Sequence, residues 1–289
     1  MLLTDILIDL YAPLRSLSEK SVYNYTCTIR AFRDFIGHEP TLDDLTELQV
    51  ARFLSHRARD RAVATAAKDR AQLRALHEWS ARRSLCSHWP QYPPIRVPER
   101  VPQAWFSTEM QRLLDAAGKE QTTIGGIPGG LWWQALLLLA YDTAERCTAL
   151  VSLHWRDVQG RHVLFVAETR KGGRRDVIRE IGEDTLAALE AIRGTRGPDD
   201  LVFPWPRTRS YLWGRLGIIL RRAGLPHGRR DKFHRIRRTT ASYYAAAGGS
   251  AQALLDHADP ATTRKYLDPR IVSGVAASSV IPRLTEVTP

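Results

Sequence analysis

Hydrophobic residues recur at helical spacing through the first part of the chain. Between positions 18 and 36 the apolar residues fall three and four apart, so they share one face of an amphipathic helix. Ser18 precedes this helix as a candidate N-cap. The same spacing predicts two further helices, over residues 42–58 and 62–83. These patterns predict an all-helical domain at residues 1–88.

A run of prolines separates this helical region from the rest of the chain. Residues 89–102 read WPQYPPIRVPERVP and include five prolines. Proline lacks the amide hydrogen that a helix interior needs, and it favours an extended backbone. We therefore predict an interdomain linker at 89–102 and a second domain over 103–289.

The second domain mixes helical and strand-like patterns. Leu131 to Tyr141 is apolar on nearly all sides, which predicts a buried helix. Two strand-like segments, 162–168 and 176–181, flank a glycine-containing turn with Lys171 at its tip. The glycine-rich GGIPGG at 125–130 is expected to be a flexible loop, because it lacks the Lys-Ser/Thr of a phosphate-binding loop. Further helices are predicted over 107–117, 183–193, 210–222 and 233–247, with short ones up to His257 and around Tyr266.

These elements place the chain in the α+β class, mainly α with a small β-sheet. An all-helical N-terminal domain precedes a mixed α/β domain.

The chain is strongly basic. It has 42 Lys and Arg against 31 Asp and Glu, a net charge of +11 and a pI near 9.9. Such a balance favours a polyanionic partner, although a basic protein without one is the simpler alternative. Some basic side chains are candidates for phosphate contact, and a solvent-facing charged surface is the ordinary explanation for them. These candidate DNA-binding residues are Lys68, Arg70, Arg74, Arg82, Arg83, Arg229, Arg230, Lys232 and Arg235.

Other compositional features indicate a cellular compartment. The three cysteines have no metal-ligand spacing, which is typical of a reduced intracellular protein without structural zinc. The N-terminus lacks the basic segment of a signal peptide, and no apolar run is long enough to span a bilayer. We therefore predict a cytoplasmic protein without membrane association.

Six residues of the second domain could together perform phosphoryl transfer: Arg146, Lys171, His234, Arg237, His257 and Tyr266. Cleaving a phosphodiester without a metal requires a nucleophile, fixed cations and an acid, and this set supplies all three. Ordinary explanations remain open. Arg146 could form a salt bridge with Glu145 at a helix corner, and Lys171 could be an exposed turn residue. Tyr243 and Tyr244 are alternative nucleophiles, but their alanine-rich helix favours packing.

Five segments resemble, in order, the motifs of the tyrosine recombinase (phage integrase) family, in particular its Xer-like two-domain members. TAERCTALVSLHWRDV is similar to the first arginine box, and TRKGGRRDVI to the lysine hairpin. HRIRR matches the His-x-x-Arg box, LLDH is similar to Leu-Leu-Gly-His, and ATTRKYLDP to the segment of the nucleophilic tyrosine. Any one segment is a weak signal, but five in the right order are strong together.

The resemblance implies a role for each candidate residue. Tyr266 would attack the scissile phosphate and form a 3′-phosphotyrosyl link, while both arginines stabilise the charge of the transition state. Lys171 would protonate the leaving 5′-oxygen, and His234 would serve in proton transfer near the tyrosine. His257 would hydrogen-bond the phosphate. The resemblance implies no metal, ATP or other cofactor.

The resemblance also implies partners and a setting. The substrate would be double-stranded DNA with inverted-repeat core sites, bound by a dimer at one site and a tetramer in the synaptic complex. The C-terminal tail would dock on a neighbouring protomer. The location would be the cytoplasm, on the nucleoid, for a prokaryotic or phage-encoded protein. A type IB topoisomerase-like strand transferase and a non-catalytic sequence-specific DNA-binding protein of the same fold are the alternatives.

Two positions and one interval depart from the family pattern. Ala149 occupies a position that is usually acidic, and we hypothesise that Glu145 takes over its orienting role. Asp256 stands where a glycine usually precedes the last histidine. The interval from Arg237 to His257 is 20 residues, which is shorter than the family pattern suggests.

Overall fold

The chain divides into two compact units, Met1–Arg100 and Val101–Pro289. The computed structural model describes residues 1–170 and 175–272. Lys171, at the predicted hairpin tip, and the predicted docking tail beyond residue 272 lie outside the described residues. In the part described, no helix is long and apolar enough to cross a membrane.

The first unit is helical, as the sequence predicts. A helical segment over residues 3–14, π-helical at Ile6–Tyr11, precedes three longer helices. The three are Glu19–Ile36 (α1), Glu47–Asp60 (α2) and Val63–Ala81 (α3). The predicted N-cap of α1 is confirmed, because the Ser18 hydroxyl accepts the Ser21 amide at 3.3 Å. The helix ends at Gly37, whose φ of 85° is in the left-handed region that glycine adopts without steric cost.

A buried carboxylate joins the three helices of the first unit. Asp69 on α3 is completely buried and accepts hydrogen bonds from Thr28 on α1 and Arg57 on α2. Lys68 pairs with the same carboxylate at 2.9 Å. A buried charge requires such partners, so Asp69 fixes how the three helices pack.

Part of the predicted proline-rich linker packs on this helical unit. The Tyr92 ring is buried in its core, and the Tyr92 hydroxyl lies 2.7 Å from Nδ1 of His77. The Arg70 guanidinium donates to the carbonyl oxygens of Tyr92 and Pro93. The change of unit falls later, after Arg100.

The second unit surrounds a buried helix. Its helices are Ser107–Gly118 (α4), Gly129–Thr143 (α5), Cys147–Leu150 (α6), Glu183–Arg193 (α7), Arg209–Arg222 (α8), Phe233–Ala246 (α9), Ala251–Leu255 (α10), Pro260–Arg264 (α11) and Pro269–Val272 (α12). The predicted buried helix is confirmed: α5 packs against α4, α7 and α9, and both Trp132 and Trp133 are fully buried. Large aromatic side chains contribute much of the apolar area that such a core removes from water.

Two small antiparallel sheets complete the second unit. Their strands are Thr123–Ile124 (β1), Ile127–Pro128 (β2), Val158–Gln159 (β3), His162–Phe165 (β4) and Val177–Glu180 (β5). The paired strands β4 and β5 confirm the predicted strand pair, although β4 ends earlier than expected, since residues 167–169 form a 3-10 turn.

The glycine-rich segment is an ordered part of the fold, so the expectation of a flexible loop was wrong. Gly125 and Gly126 form the two-residue turn between β1 and β2, with φ of 55° and 80°. Gly129 and Gly130 then begin α5 so close to other backbone that a Cβ would lie 2.3 Å and 2.4 Å from carbonyl oxygens. The glycines therefore serve a hairpin and a close packing contact.

Candidate active site

Arg146 lies at a sharp corner of the second unit. The helix α5 ends at Thr143, and Ala144 adopts a left-handed conformation with φ of 52°, which turns the chain toward α6. Arg146 is the N-cap residue of α6 and is half-buried. Among the described residues, its guanidinium has no hydrogen-bond or ion-pair partner.

The salt bridge that would have explained Arg146 does not form. The neighbouring Glu145 is completely buried, but its carboxylate accepts from Arg170 at 3.2 Å and from Arg179 at 3.4 Å. The Glu145 carboxylate is therefore bound by these two arginines, and the hypothesis that it takes over the orienting role at Ala149 stays a prediction. Within the described residues, no ion pair neutralises the positive charge of Arg146.

Arg237 comes to the same corner from α9. It is almost completely buried, and it donates to the carbonyl oxygens of Ala144 and, at 2.7 Å, Leu255. Its Nε has no partner among the described residues. Burial, and then the nearby charge of Arg146, lowers the pKa of Arg237 to about 10. It stays protonated at neutral pH, and its hydrogen-bond partners are neutral, so no described residue compensates its charge through an ion pair.

His257 and Tyr266 face each other beside these arginines. Their ring centroids are 5.0 Å apart, and the Arg237 guanidinium carbon lies 5.9 Å from the Tyr266 ring centroid. Burial, and then the charges of Arg237 and Arg146, lowers the pKa of His257 below its ordinary 6.5. The neutral form of the imidazole is therefore favoured at pH 7. Its Nδ1 lies 3.2 Å from the hydroxyl of Thr263, and when Nδ1 accepts that hydrogen, Nε2 carries the ring proton.

Tyr266 lies in the turn just after α11 rather than on the short helix that the sequence predicts. Its amide donates to Thr263 O at 2.8 Å, and its carbonyl accepts from the Ser242 hydroxyl. Two residues later, the fully buried Asp268 accepts the Ala104 amide at 2.7 Å. The segment that carries the tyrosine is thus held on both sides.

The two remaining candidates are less well defined. His234 lies in the first turn of α9 and is exposed, and its carbonyl accepts from Arg238. Lys171 is outside the described residues, so its place in the site stays a prediction.

The candidate DNA-binding residues fall into two groups. Those on the surface are Lys68, Arg74, Arg82, Arg83, Arg229 and Arg230, while Lys232 is half-buried. Arg235 is corrected: it is only 4% exposed, it pairs with Asp231, and its guanidinium lies 3.4 Å from the Trp105 ring centroid. Arg70, which is bonded to main-chain carbonyls, also has a structural role. A sequence pattern does not distinguish such arginines from solvent-facing ones.

Three arginines that the sequence analysis did not select also approach the site. Arg170, Arg175 and Arg179 lie on or beside the β4–β5 hairpin, and they bind Glu145, Asp256 or both. The sequence offered one signal for them, since two arginines directly flank the segment 171–174 that contains the predicted lysine.

Comparison with known proteins identifies the family. The phage integrase family matches residues 106–271, and the N-terminal SAM-like domain of phage integrases matches residues 10–84. The chain therefore belongs to the phage integrase family. It is a tyrosine site-specific recombinase, as the order of its motifs predicts.

Individual relatives agree with this assignment. Tyrosine recombinase XerD of Listeria monocytogenes serotype 4b is 25% identical over 274 residues, which covers 87% of this chain and 89% of the relative. The fold resembles that of a lambda integrase tetramer bound to a Holliday junction, with a TM-score of 0.71 at 19% identity over 89% of this chain and 76% of that one. It also resembles XerH recombinase in a pre-cleavage complex with its difH substrate, with a TM-score of 0.65 at 18% identity over 91% and 81% of the two chains.

Proposed function

We propose that this protein cuts and rejoins double-stranded DNA through a covalent 3′-phosphotyrosyl intermediate at Tyr266, without a metal ion or ATP. The observation that carries the proposal is the convergence of Arg146, Arg237 and His257 beside Tyr266. Both guanidiniums lack an anionic partner among the described residues. A cluster of fixed positive charge without its own counter-ion favours binding of an anion such as a phosphodiester.

The reaction exchanges one phosphate ester for another. The Tyr266 oxygen forms a bond to phosphorus as its proton leaves, and the bond from phosphorus to the 5′-oxygen breaks as that oxygen gains a proton. Attack by a 5′-hydroxyl from another strand reverses both changes and releases the tyrosine. The phosphotyrosyl bond conserves the energy of the phosphodiester, so the cycle needs no nucleotide hydrolysis.

The two arginines have complementary roles in this proposal. Arg237 is fixed by two carbonyl oxygens, so it is already oriented before DNA binds. Arg146 is half-buried and unpaired in the described part of the chain, so it can bind a non-bridging oxygen without first breaking an ion pair. Charge that develops on the phosphorane would be stabilised by both.

Hydrogen bonding and proton transfer complete the assignment. Neutral His257, with Nδ1 toward Thr263, presents its Nε2 hydrogen to a phosphate oxygen. By resemblance to the family, His234 takes part in proton transfer near Tyr266, and Lys171 protonates the leaving 5′-oxygen.

DNA is the partner that the net charge of +11 favours. Solved relatives include a lambda integrase dimer on a core site and a tetramer on a Holliday junction. We extend this to the present chain as a dimer on one inverted-repeat site and a tetramer in the synaptic complex. The exposed basic residues, among them Arg229 and Arg230, would contact phosphates. The division into domains 1–88 and 103–289 and the nucleoid location stay predictions.

The proposal is tested by trapping the covalent product. Full-length protein is incubated with a library of randomised nicked duplexes, and DNA that remains attached after denaturation is recovered and sequenced. The proposal expects enrichment of one inverted-repeat sequence, with protein on the 3′ end. The matched control is Tyr266→Phe, which removes only the hydroxyl and should give no adduct.

Two outcomes would overturn the proposal. If wild-type protein enriches a DNA sequence when bound DNA is selected without denaturation, but forms no adduct on nicked duplexes of that sequence, the chain is a binding protein that keeps the fold without the chemistry. If Tyr266→Phe still forms the adduct, another residue is the nucleophile. Strand transfer without any sequence preference would favour the topoisomerase-like alternative.

A further inference from the structure

Three arginines bridge the same two segments of the candidate active site. One segment, 144–146, carries Arg146, and the other, 254–257, carries His257. Arg237 donates to a carbonyl oxygen in each. Two further arginines, Arg170 and Arg179, also contact both segments, and each of them pairs with the Glu145 carboxylate in the first.

Arg170 is the centre of the charged bridge. Its side chain is 1% exposed, and it donates to both carboxylate oxygens of Glu145, at 3.4 Å and 3.2 Å, and to Asp256 at 3.1 Å. Arg179 reinforces it, because its guanidinium contacts Glu145 at 3.4 Å and the carbonyl of Leu254 at 2.5 Å. A planar guanidinium holds several acceptors in fixed directions. The result is a carboxylate–guanidinium–carboxylate bridge from one segment to the other.

Asp256 occupies a backbone conformation that an L-residue rarely adopts. It ends α10 with φ of 52° and ψ of 47°, at the position where the family resemblance leads us to expect glycine. Among residues with a side chain, Asp and Asn tolerate this left-handed conformation best. Burial opposes ionisation of this carboxyl, but the hydrogen bonds and charges of Arg170 and Arg175 lower its pKa below the ordinary value. The side chain is therefore a carboxylate that is bound in place.

The two arginines that pair with Asp256 differ in burial, and therefore in how much each pair contributes to stability. Arg175 has 70% of its side chain exposed, so its pair with Asp256 is screened by water and contributes little. Arg170 is buried, and its pair with Asp256 completes the bridge to Glu145.

We propose that Asp256 is a positioning residue, which through Arg170 and Glu145 fixes the spacing between Arg146 and His257. This inference rests on the proposed function, because Arg146 and His257 must bind the same phosphate for their spacing to matter. In this chain the Asp256 carboxylate connects the two segments through Arg170. A glycine at the same position would contribute only backbone freedom.

A simpler explanation is that Asp256 merely ends α10, and two substitutions separate the two explanations. Both Asp256→Asn and Asp256→Gly keep the left-handed conformation accessible, but neither supplies a carboxylate. If only the helix end mattered, Asp256→Gly would cleave at the wild-type rate. If the bridge positions the site, both variants should cleave roughly 10-fold to 100-fold more slowly at saturating DNA, since small displacements of reacting groups are costly.

The experiment measures single-turnover adduct formation at saturating nicked duplex, carrying the sequence recovered from the library, together with the Kd for that duplex. The inference expects slower cleavage with Kd within about twofold of wild type, because neither substitution changes a group that binds DNA. Arg175→Gln, which removes only the exposed pair, is the matched control and should cleave within about twofold of wild type. Thermal unfolding of each variant checks that it is folded.

The outcomes separate this inference from the proposed function. Absence of any wild-type adduct would reject the proposed function itself. Normal wild-type cleavage together with wild-type rates in both Asp256 variants would overturn the inference alone. It would also be overturned if the loss appeared entirely in Kd.

Discussion

Arg237 and Arg170 are two buried arginines that cross the same gap, yet their partners differ. Arg237 binds two main-chain carbonyl oxygens, whereas Arg170 binds the carboxylates of Glu145 and Asp256. Carbonyl oxygens orient a guanidinium without neutralising it, whereas carboxylates orient it and also compensate its positive charge. Burial alone therefore does not separate Arg237, proposed to bind the phosphate, from Arg170, and within this pair the charge of the partners does.

The largest effect is expected on stability, at the charged bridge. Arg170→Met leaves the Glu145 carboxylate buried with only the longer contact from Arg179, and it should lower the free energy of unfolding by about 3–5 kcal/mol. Urea unfolding followed by circular dichroism measures this loss. Arg175→Met is the matched control, and its cost should stay below about 1 kcal/mol because its pair is exposed. Equal losses in the two variants would contradict the difference in burial.

The next effect is expected on catalysis, at the uncompensated arginine. Arg237→Lys keeps a positive charge but cannot satisfy both carbonyls and reach a phosphate oxygen. It should slow single-turnover cleavage by roughly 100-fold to 1000-fold, as for loss of a preorganised donor to a transition-state oxyanion. Arg238→Lys, one residue later and also bonded only to carbonyls, serves as the control and should stay within a few-fold of wild type. Comparable losses in both variants would mean that the helix, and not the Arg237 contact, is responsible.

A smaller effect is expected from the pH dependence of stability. The folded protein disfavours protonation of His257, so the unfolded chain binds more protons between the lowered pKa and 6.5. Stability of the free protein should therefore fall as the pH drops below 6.5, and His257→Gln should remove part of this fall. The difference should stay below about 1 kcal/mol, because the imidazole is partly exposed and water screens both arginines. If the free energy of unfolding of both proteins changed in parallel from pH 7.5 to 5.5, neither burial nor the arginine charges would lower the pKa of His257 in the folded protein.

The smallest effect is expected where only main chain is involved. Ala144→Gly keeps the carbonyl that Arg237 uses, and it relieves the strain of the left-handed backbone conformation. It also removes a buried methyl group and raises the conformational entropy of the unfolded chain, and both changes lower stability. These terms nearly cancel, so stability should stay within about 1 kcal/mol of wild type. Cleavage should be unchanged. A large loss of cleavage would show that the Ala144 side chain, rather than its carbonyl, supports Arg237.

Sequence patterns predicted the local elements of this fold well. The helix caps at Ser18 and Gly37, the buried helix that contains Trp132 and Trp133, and the β4–β5 strand pair all follow from short-range periodicity and turn chemistry. The expectation of a flexible loop at the glycine-rich segment was wrong. Its glycines permit close backbone contacts that form only in the tertiary structure.

The sequence motifs predicted the main candidate residues of the site, but not the contacts that hold them. The motifs pointed to Arg146, Arg237, His257 and Tyr266, which the structure brings together. They could not reveal that Glu145 binds Arg170, since that contact joins positions 25 residues apart. They also left Asp256 without an explanation, because its partners lie in a hairpin more than 80 residues earlier.

The identity of the nucleophile is the central claim, and peptide mapping of the trapped adduct tests it most directly. After nuclease and trypsin digestion, the claim predicts the attached nucleotide on the peptide YLDPR, which begins at Tyr266 and ends at Arg270. The rival tyrosines, Tyr243 and Tyr244, lie in a separate peptide that ends at Arg264. A nucleotide on that second peptide, with YLDPR recovered unmodified, would contradict the account.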